Sequence, residues 1–231
     1  MSKPIVRVTT LEAFRQFITN SIERDFYEIP EQRVIDTIKG DFKGNEYTRI
    51  GTAFHSIIET GEPHHADPKD GCRIDVDGHA VMFNAQQLQT ALDYRNEFPG
   101  AFHEIRQYKD YGRAIVTGCA DLIDGIEPHD IKTKYSNPSD KEYIDSCQWR
   151  YYLDIFNADV FHFDLFIFDR YKPKKHGYDV RGLEVRRHTP PINCYRYPNM
   201  EADNLALLNE FMDFAESRGL VGYLTEAQIR R

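Results

Sequence analysis

The chain has 231 residues, a net charge of −8, and 41% hydrophobic and 13% aromatic residues. That is enough for one sizeable core, and too acidic for a protein that coats nucleic acid without specificity, because phosphate contacts need lysine and arginine. No apolar run approaches the roughly 20 residues of a membrane helix, and the opening Met1-Ser2-Lys3-Pro4-Ile5-Val6-Arg7 lacks the apolar core of a signal peptide, so a cytoplasmic protein with no membrane partner is expected.

Thr9 followed by Glu12 reads as a capping box, and Leu11, Phe14, Ile18, Ile22 and Phe26 then recur at helical spacing, predicting a helix to about Glu28. Pro30 opens a second short helix that Gly40 ends, and a third runs from about Tyr47 to Thr60 before Gly61. Glu62 to Pro68 reads as a loop. Cys72 to Val76, Asp77-Gly78 and His79 to Phe83 form a tight hairpin signal, and Asn84 caps a helix from Ala85 to about Glu97.

Strand patterns then dominate, over His103 to Lys109, Arg113 to Ile123 and Ile126 to Lys134, with Asp124-Gly125 at the last turn. A helix is predicted from Ser139 to Phe156, a central strand over Val160 to Phe168, a strand near Leu183 to Arg187, and a helix from Glu201 to Ser217. The order of elements predicts a mixed α/β (α+β) single domain.

Chemistry concentrates around the Asp124-Gly125 turn. If its strands pair as a hairpin, Asp121 and Asp130 come near each other, and Asp130 and Lys132, two apart, share one face. Two close carboxylates repel unless a cation sits between them, and hard divalent ions need carboxylate oxygens, so this trio reads as a metal-dependent phosphodiesterase centre. A half-exposed hairpin with alternating charges fits the same residues. His55 and Glu59 lie four apart on one helix face, where His55 is a metal ligand or a core histidine, and Gln148 and Tyr152 lie four apart on another, where they hydrogen-bond a phosphate or form a polar rim.

Taken together, Gly51 to His55, Gly118 to Asp121, Asp130 to Lys132 and Gln148 to Tyr152 resemble, in that order, the four motifs of the RecB-like branch of the PD-(D/E)xK nuclease superfamily. Those motifs are Gly-x-x-x-His, Gly-x-x-Asp, Asp/Glu-x-Lys and Gln-x-x-x-Tyr. The resemblance covers about Thr9 to Phe168, includes Thr133 after the lysine, and is nearest in flavour to phage or mitochondrial-genome-maintenance-type exonucleases. It implies a restriction-endonuclease-like core, a central mixed sheet flanked by helices, within one nuclease domain over 1–231. Residues 1–100 would form a helical part with a small hairpin, 101–190 the catalytic sheet and helix, and 191–231 a C-terminal helix.

The resemblance further implies that His55, Asp121, Asp130 and the Ile131 carbonyl hold one or two Mg2+ or Mn2+ ions, that Lys132 orients or activates water, and that Gln148 and Tyr152 position the strand. Glu59 becomes a candidate partner of the ligands. CRISPR-associated relatives add a four-cysteine iron–sulfur cluster, whereas Cys72, Cys119, Cys147 and Cys194 are scattered singly, so none is expected here. The implied activity is a DNA exonuclease of recombination, repair or phage DNA metabolism, in the cytoplasm of a bacterium or phage-infected cell. An endonuclease nicking internal or branched sites and a non-catalytic DNA-binding protein are the alternatives. Its DNA would be single-stranded or an end-bearing duplex, and any recombinase, helicase or single-strand-binding partner would be a separate protein, since the glycine-rich phosphate loop of a helicase is absent.

From Arg170 to Arg187 the local charge is +5, leaving −13 for the rest. Arg170, Lys172, Lys174, Lys175 and Arg181, interleaved with Tyr171 and Tyr178, are therefore candidate DNA contacts, a stacking and phosphate-tracking pattern that a solvated charged hairpin would also show.

Overall fold

The computed structural model describes residues 3–19, 30–41, 44–61 and 71–226. In chain order the elements are β1 (Ile5–Arg7), α1 (Val8–Ile18), α2 (Pro30–Lys39), α3 (Glu46–Thr60), β2 (Cys72–Val76), β3 (His79–Phe83), α4 (Ala85–Glu97), β4 (Phe102–Asp110) and β5 (Ile115–Asp124). They continue with β6 (Glu127–Lys134), α5 (Asp140–Ile144), α6 (Gln148–Phe156), β7 (Val160–Phe168), α7 (Pro173–His176), β8 (Val185–Arg187), β9 (Ile192–Tyr195) and α8 (Met200–Ser217). Among the described residues no helix is long and apolar enough to cross a membrane.

Seven strands build one central mixed sheet. The path β1-β5-β6-β7-β8 carries β4 on β5 and β9 on β7, and β2 and β3 pair separately. β7 explains why helices cover both faces: alternate side chains of a strand point to opposite sides. Its Phe161, Phe163 and Leu165 join the core under α1, α2, α6 and α8, with Phe14, Tyr151, Leu208 and Phe211. Its Phe166 and Phe168 face the other way, into a core with Phe54, Phe83, Leu88 and Tyr94 from α3, β3 and α4. Each such side chain, removed from water, contributes roughly 1.5–3 kcal/mol, so β7 ties the layers together.

Several local expectations hold. α3 starts on an Asn45 capping box and ends at Gly61 with φ +68°, α4 starts on an Asn84 capping box, and Asp77-Gly78 turns the β2–β3 hairpin with both residues at positive φ. Others are corrected. α1 follows β1 with Arg7 as its uncapped first neighbour, so Thr9 lies inside the helix and caps nothing. The helix ends at Ile18, while Ile22, Phe26 and the Glu62 to Pro68 loop lie outside the described residues.

The helix expected over 139–156 is two helices, because the Ser146-Cys147 corner is captured by the carboxylate of Glu12, which accepts from Ser146 Oγ at 3.0 Å and from the Cys147 N–H at 2.9 Å. The basic segment is a loop around α7 rather than a plain hairpin. β1 and β9 escape periodicity altogether, since three or four residues become strands only through the neighbours they pair with.

Candidate active site

The site grows from a fork in the sheet. β4 runs along one edge of β5 from Phe102↔Ile123 to Asp110↔Ile115. The opposite edge is shared: β1 takes Ile115 to Thr117, and β6 takes only Leu122 to Asp124. Past His129, β6 leaves β5 and continues beside β7 as far as Lys134↔Ile167. Asp121 and Asp130 would be the next pair of the β5–β6 ladder. Instead the Ile131 N–H donates to Asp121 Oδ2 at 2.6 Å, so a side chain takes the hydrogen bond that a strand backbone would have taken.

Two glycines bring helices against the fork. A Cβ on Gly51 would stand 2.8 Å from Thr133 Oγ1, so α3 crosses β6 at a distance only glycine permits. One turn later His55 places Nδ1 3.7 Å from Asp121 Oδ2. On β5, a Cβ on Gly118 would stand 3.3 Å from the Tyr152 ring and 3.4 Å from Val8, while the Tyr152 hydroxyl donates to the Cys119 carbonyl at 2.7 Å. Tyr152 is therefore spent on holding β5. Gln148, half-buried, opens α6 with its backbone N–H on Ser146 Oγ at 3.1 Å.

Charge in the cluster is out of balance. Asp130 is buried and Lys132, partly exposed, holds Nζ 2.6 Å from its Oδ2. That is the distance of a charge-assisted contact, so the Lys132 ammonium is the partner of Oδ2. Burial pushes the Asp130 carboxyl up to about 6, with the Asp121 charge adding to the rise and Lys132 opposing it. Asp121 is raised by burial and by Glu59, against Lys132 and the Ile131 N–H. Burial, and then the Lys132 charge, lower His55 to about 4, which leaves a neutral imidazole at pH 7. Burial alone would lower Lys132, but the charges of Asp130 and Asp121 outweigh it and keep the ammonium protonated.

Sequence reasoning missed two carboxylates. Glu104 falls opposite Asp121, in the register gap between His103↔Leu122 and Ile105↔Ala120, with a left-handed φ of +53° that breaks the β4–β5 ladder. The residue is exposed overall, but its carboxyl is partly desolvated, which raises it, as do Asp121 and Glu59, and it accepts from Cys119 Sγ at 3.4 Å. Nothing in the sequence marks it until the register is known. Glu12 is the second. Beyond Ser146 and Cys147 it accepts from Arg15 at 2.9 and 2.7 Å and from Gln16 at 2.8 Å, and its charge reaches Lys132. The Thr9–Glu12 spacing was the signal, with a different meaning.

The donor chemistry suits a hard divalent cation: the carboxylate oxygens of Asp121 and Asp130 beside a neutral imidazole and the Ile131 main chain. Among the described residues no three His, Cys, Asp or Glu side chains stand ready to enclose an ion, and Asp130 is still clasped by Lys132. Glu59 is exposed at the far end of α3, and its charge reaches His55, Asp121, His103 and Glu104. Arg170, Lys172, Lys174, Lys175 and Arg181 lie on and around α7.

This is a mixed α/β protein, with a central mixed sheet flanked by helices and a half-buried carboxylate, lysine and histidine cluster at a fork between strands. No family model and no curated protein matches the chain. A solved structure titled "Crystal structure of SSO0001" is similar at 15% identity, over 93% of this chain and 78% of that one, with a TM-score of 0.43.

Proposed function

We propose that the protein is a metal-dependent nuclease of the RecB-like PD-(D/E)xK type, a DNA exonuclease that hydrolyses phosphodiester bonds. The observation that carries this reading is the fork, where Asp121, Asp130, Lys132 and His55, drawn from three separate motifs, meet at one opening in the sheet. His55, Asp121, Asp130 and the Ile131 carbonyl would hold Mg2+ or Mn2+. When bound, such an ion supplies electrostatic stabilisation of the phosphoryl group as negative charge develops on it.

The chain's own residues then divide the labour. Lys132, protonated, donates to a water or to a phosphoryl oxygen and fixes the line of attack. His55, neutral, offers a ring nitrogen rather than a charge. Tyr152 holds the strand that bears Asp121, and the Glu12 clamp on Ser146-Cys147 fixes where Gln148 begins its helix.

End-labelled linear DNA incubated with Mg2+ or Mn2+ tests the proposal. Wild type should degrade it and spare closed circles, whereas Lys132→Ala and Asp130→Ala should each lose about 10²–10³-fold or more in kcat, the scale for removing one preorganised charge-stabilising group. Nicking of closed circles would replace the exonuclease with an endonuclease. A wild type that cleaves neither DNA nor RNA with either ion overturns the enzyme reading in favour of a DNA-binding protein.

A further inference from the structure

The seven cations between Arg170 and Arg187 fall into two groups. Arg181 is clasped by Asp179 at 2.9 and 2.7 Å, Arg186 by Asp169 and Asn137, and Arg187 by Glu97 and the buried Asp164. These three serve the fold. Arg170, Lys172, Lys174 and Lys175 are exposed, and among the described residues none of their side chains has an acidic partner.

The segment that carries the four unpaired cations is anchored by an aromatic cluster. Tyr171, buried, donates to the Gly177 carbonyl at 2.8 Å and packs against Tyr47 and Tyr135 with ring centroids 5.3 and 4.8 Å away. Tyr135 in turn donates to the Tyr47 carbonyl at 2.9 Å. Tyr47 lies in the first turn of α3, and His55 follows on the same helix, about 12 Å along its axis at 1.5 Å per residue. Tyr135 follows Lys132 on the β6 side by about 10 Å of extended chain. The α7 region is thus fixed by two rigid elements that both pass through the catalytic cluster.

Beside α7 an open groove of about 730 Å³ runs between Lys175 and His176 on one wall and Asn84 and Gln86, at the start of α4, on the other, with the Asp179–Arg181 pair also lining it. The His176 ring is half-buried and stacked on Tyr171, centroids 5.7 Å apart at 29°. That volume is in the range of roughly 300–1,000 Å³ that takes a small ligand, about the size of one or two nucleotides.

We propose that this groove binds a single strand of nucleic acid on its way to the fork, with phosphates on Lys175, which lines it, and on its exposed neighbour Lys174, and a base against His176. The assignment rests on the nuclease reading for what the strand is led to. Unpaired cations beside a supported aromatic face are the elements of sequence-tolerant strand binding, and the +5 of 170–187 against −13 in the rest of the chain favours a strand here over elsewhere.

Fluorescence anisotropy of a labelled twelve-nucleotide oligothymidylate in EDTA, where no turnover occurs, tests this. Wild type should bind the strand better than a blunt duplex of equal length. Lys174→Glu/Lys175→Glu should bind it at least tenfold more weakly, with a salt slope shallower by about 1.4, two phosphates at roughly 0.7 each on a single strand. Both lysines are exposed, so the melting temperature should stay at the wild-type value, and Lys174→Gln/Lys175→Gln should give the same sign with a smaller loss.

Equal affinity and slope in wild type and the glutamate variant, no strand binding by wild type, or equal binding of the duplex would each overturn the proposal. So would displacement of the strand by polyglutamate at concentrations that bind the groove as tightly, which would assign it to an acidic peptide. Because binding is read without metal, a protein that binds this way but cleaves nothing refutes the nuclease reading alone, and one that cleaves but ignores the lysine changes refutes the groove alone.

Discussion

Gly51→Ala should be destabilising in the wild-type background and stabilising once Thr133 is shortened. The added Cβ would meet Thr133 Oγ1 at 2.8 Å, well inside ordinary contact, with the next atom, Thr133 Cβ, at 4.0 Å. Thr133 sits on β6 with a χ1 that a β-branched side chain changes reluctantly. Overpacking of this kind costs about 1–3 kcal/mol, while replacing glycine with alanine inside a helix returns about 1 kcal/mol. The net for Gly51→Ala is then a loss of up to about 2 kcal/mol.

In Thr133→Ala the Oγ1 is gone and the new methyl finds only the ordinary 4.0 Å neighbour, so the same Gly51→Ala should gain about 1 kcal/mol. Urea unfolding of the four proteins, compared at constant m-value, yields the cycle. Activity adds a second reading: His55 lies one turn beyond Gly51, so displacement of α3 should lower kcat in Gly51→Ala, and Thr133→Ala should restore part of it. A Gly51→Ala penalty of the same size in both backgrounds would refute the claim that this crossing is what requires glycine.

Tyr152→Phe keeps the ring on Gly118 and removes only the donor to the Cys119 carbonyl, so it should cost about 1–2 kcal/mol in urea unfolding and reduce kcat more than it changes KM. Glu12→Gln should cost about 1.5–3 kcal/mol at neutral pH, since it weakens charge-assisted bonds to Arg15 and to the Cys147 N–H. Its pH dependence has a definite sign. Burial alone would raise the Glu12 carboxyl, but Arg15 and the Cys147 N–H outweigh burial and hold it below its ordinary value of 4.5. Its contribution is therefore complete above about pH 4.5 and fades as pH falls through the folded-state value, so the gap between wild type and Glu12→Gln should narrow in acid. A gap that widens below pH 4.5 would contradict the clamp.

The parts of the site that were readable are those whose geometry is local. Asp130 and Lys132 share a face because a strand repeats every two residues, and His55 follows Gly51 by one helical turn. The β2–β3 hairpin and α4 were readable for the same reason, since turn and capping chemistry lie next to the elements they end. What escaped depends on distant partners. Glu12 has the spacing of a helix cap, but its carboxylate is captured by residues 134 and 135 positions away, and that capture also splits the helix expected over 139–156. Glu104 becomes part of the site only through the β4–β5 register and a left-handed backbone. Arg181 read as a DNA contact because its partner, Asp179, sits across a turn.

The fork also explains why four separated motifs go together. A β-hairpin left to itself would zip past Leu122↔His129 and close Asp121 onto Asp130. Here each strand is held by a different helix through a glycine contact, β6 by α3 at Gly51–Thr133 and β5 by α6 at Gly118–Tyr152, and these contacts sit within three residues of the charged side chains. β1 occupies the start of the same β5 edge, and β7 holds β6 from its other edge, from His129 to Lys134. At the gap the Ile131 N–H is taken by Asp121 Oδ2, and the Cys119 carbonyl accepts from the Tyr152 hydroxyl. Two acidic side chains and a lysine can then face one opening despite their repulsion, because the strands that carry them are fixed by packing rather than by each other.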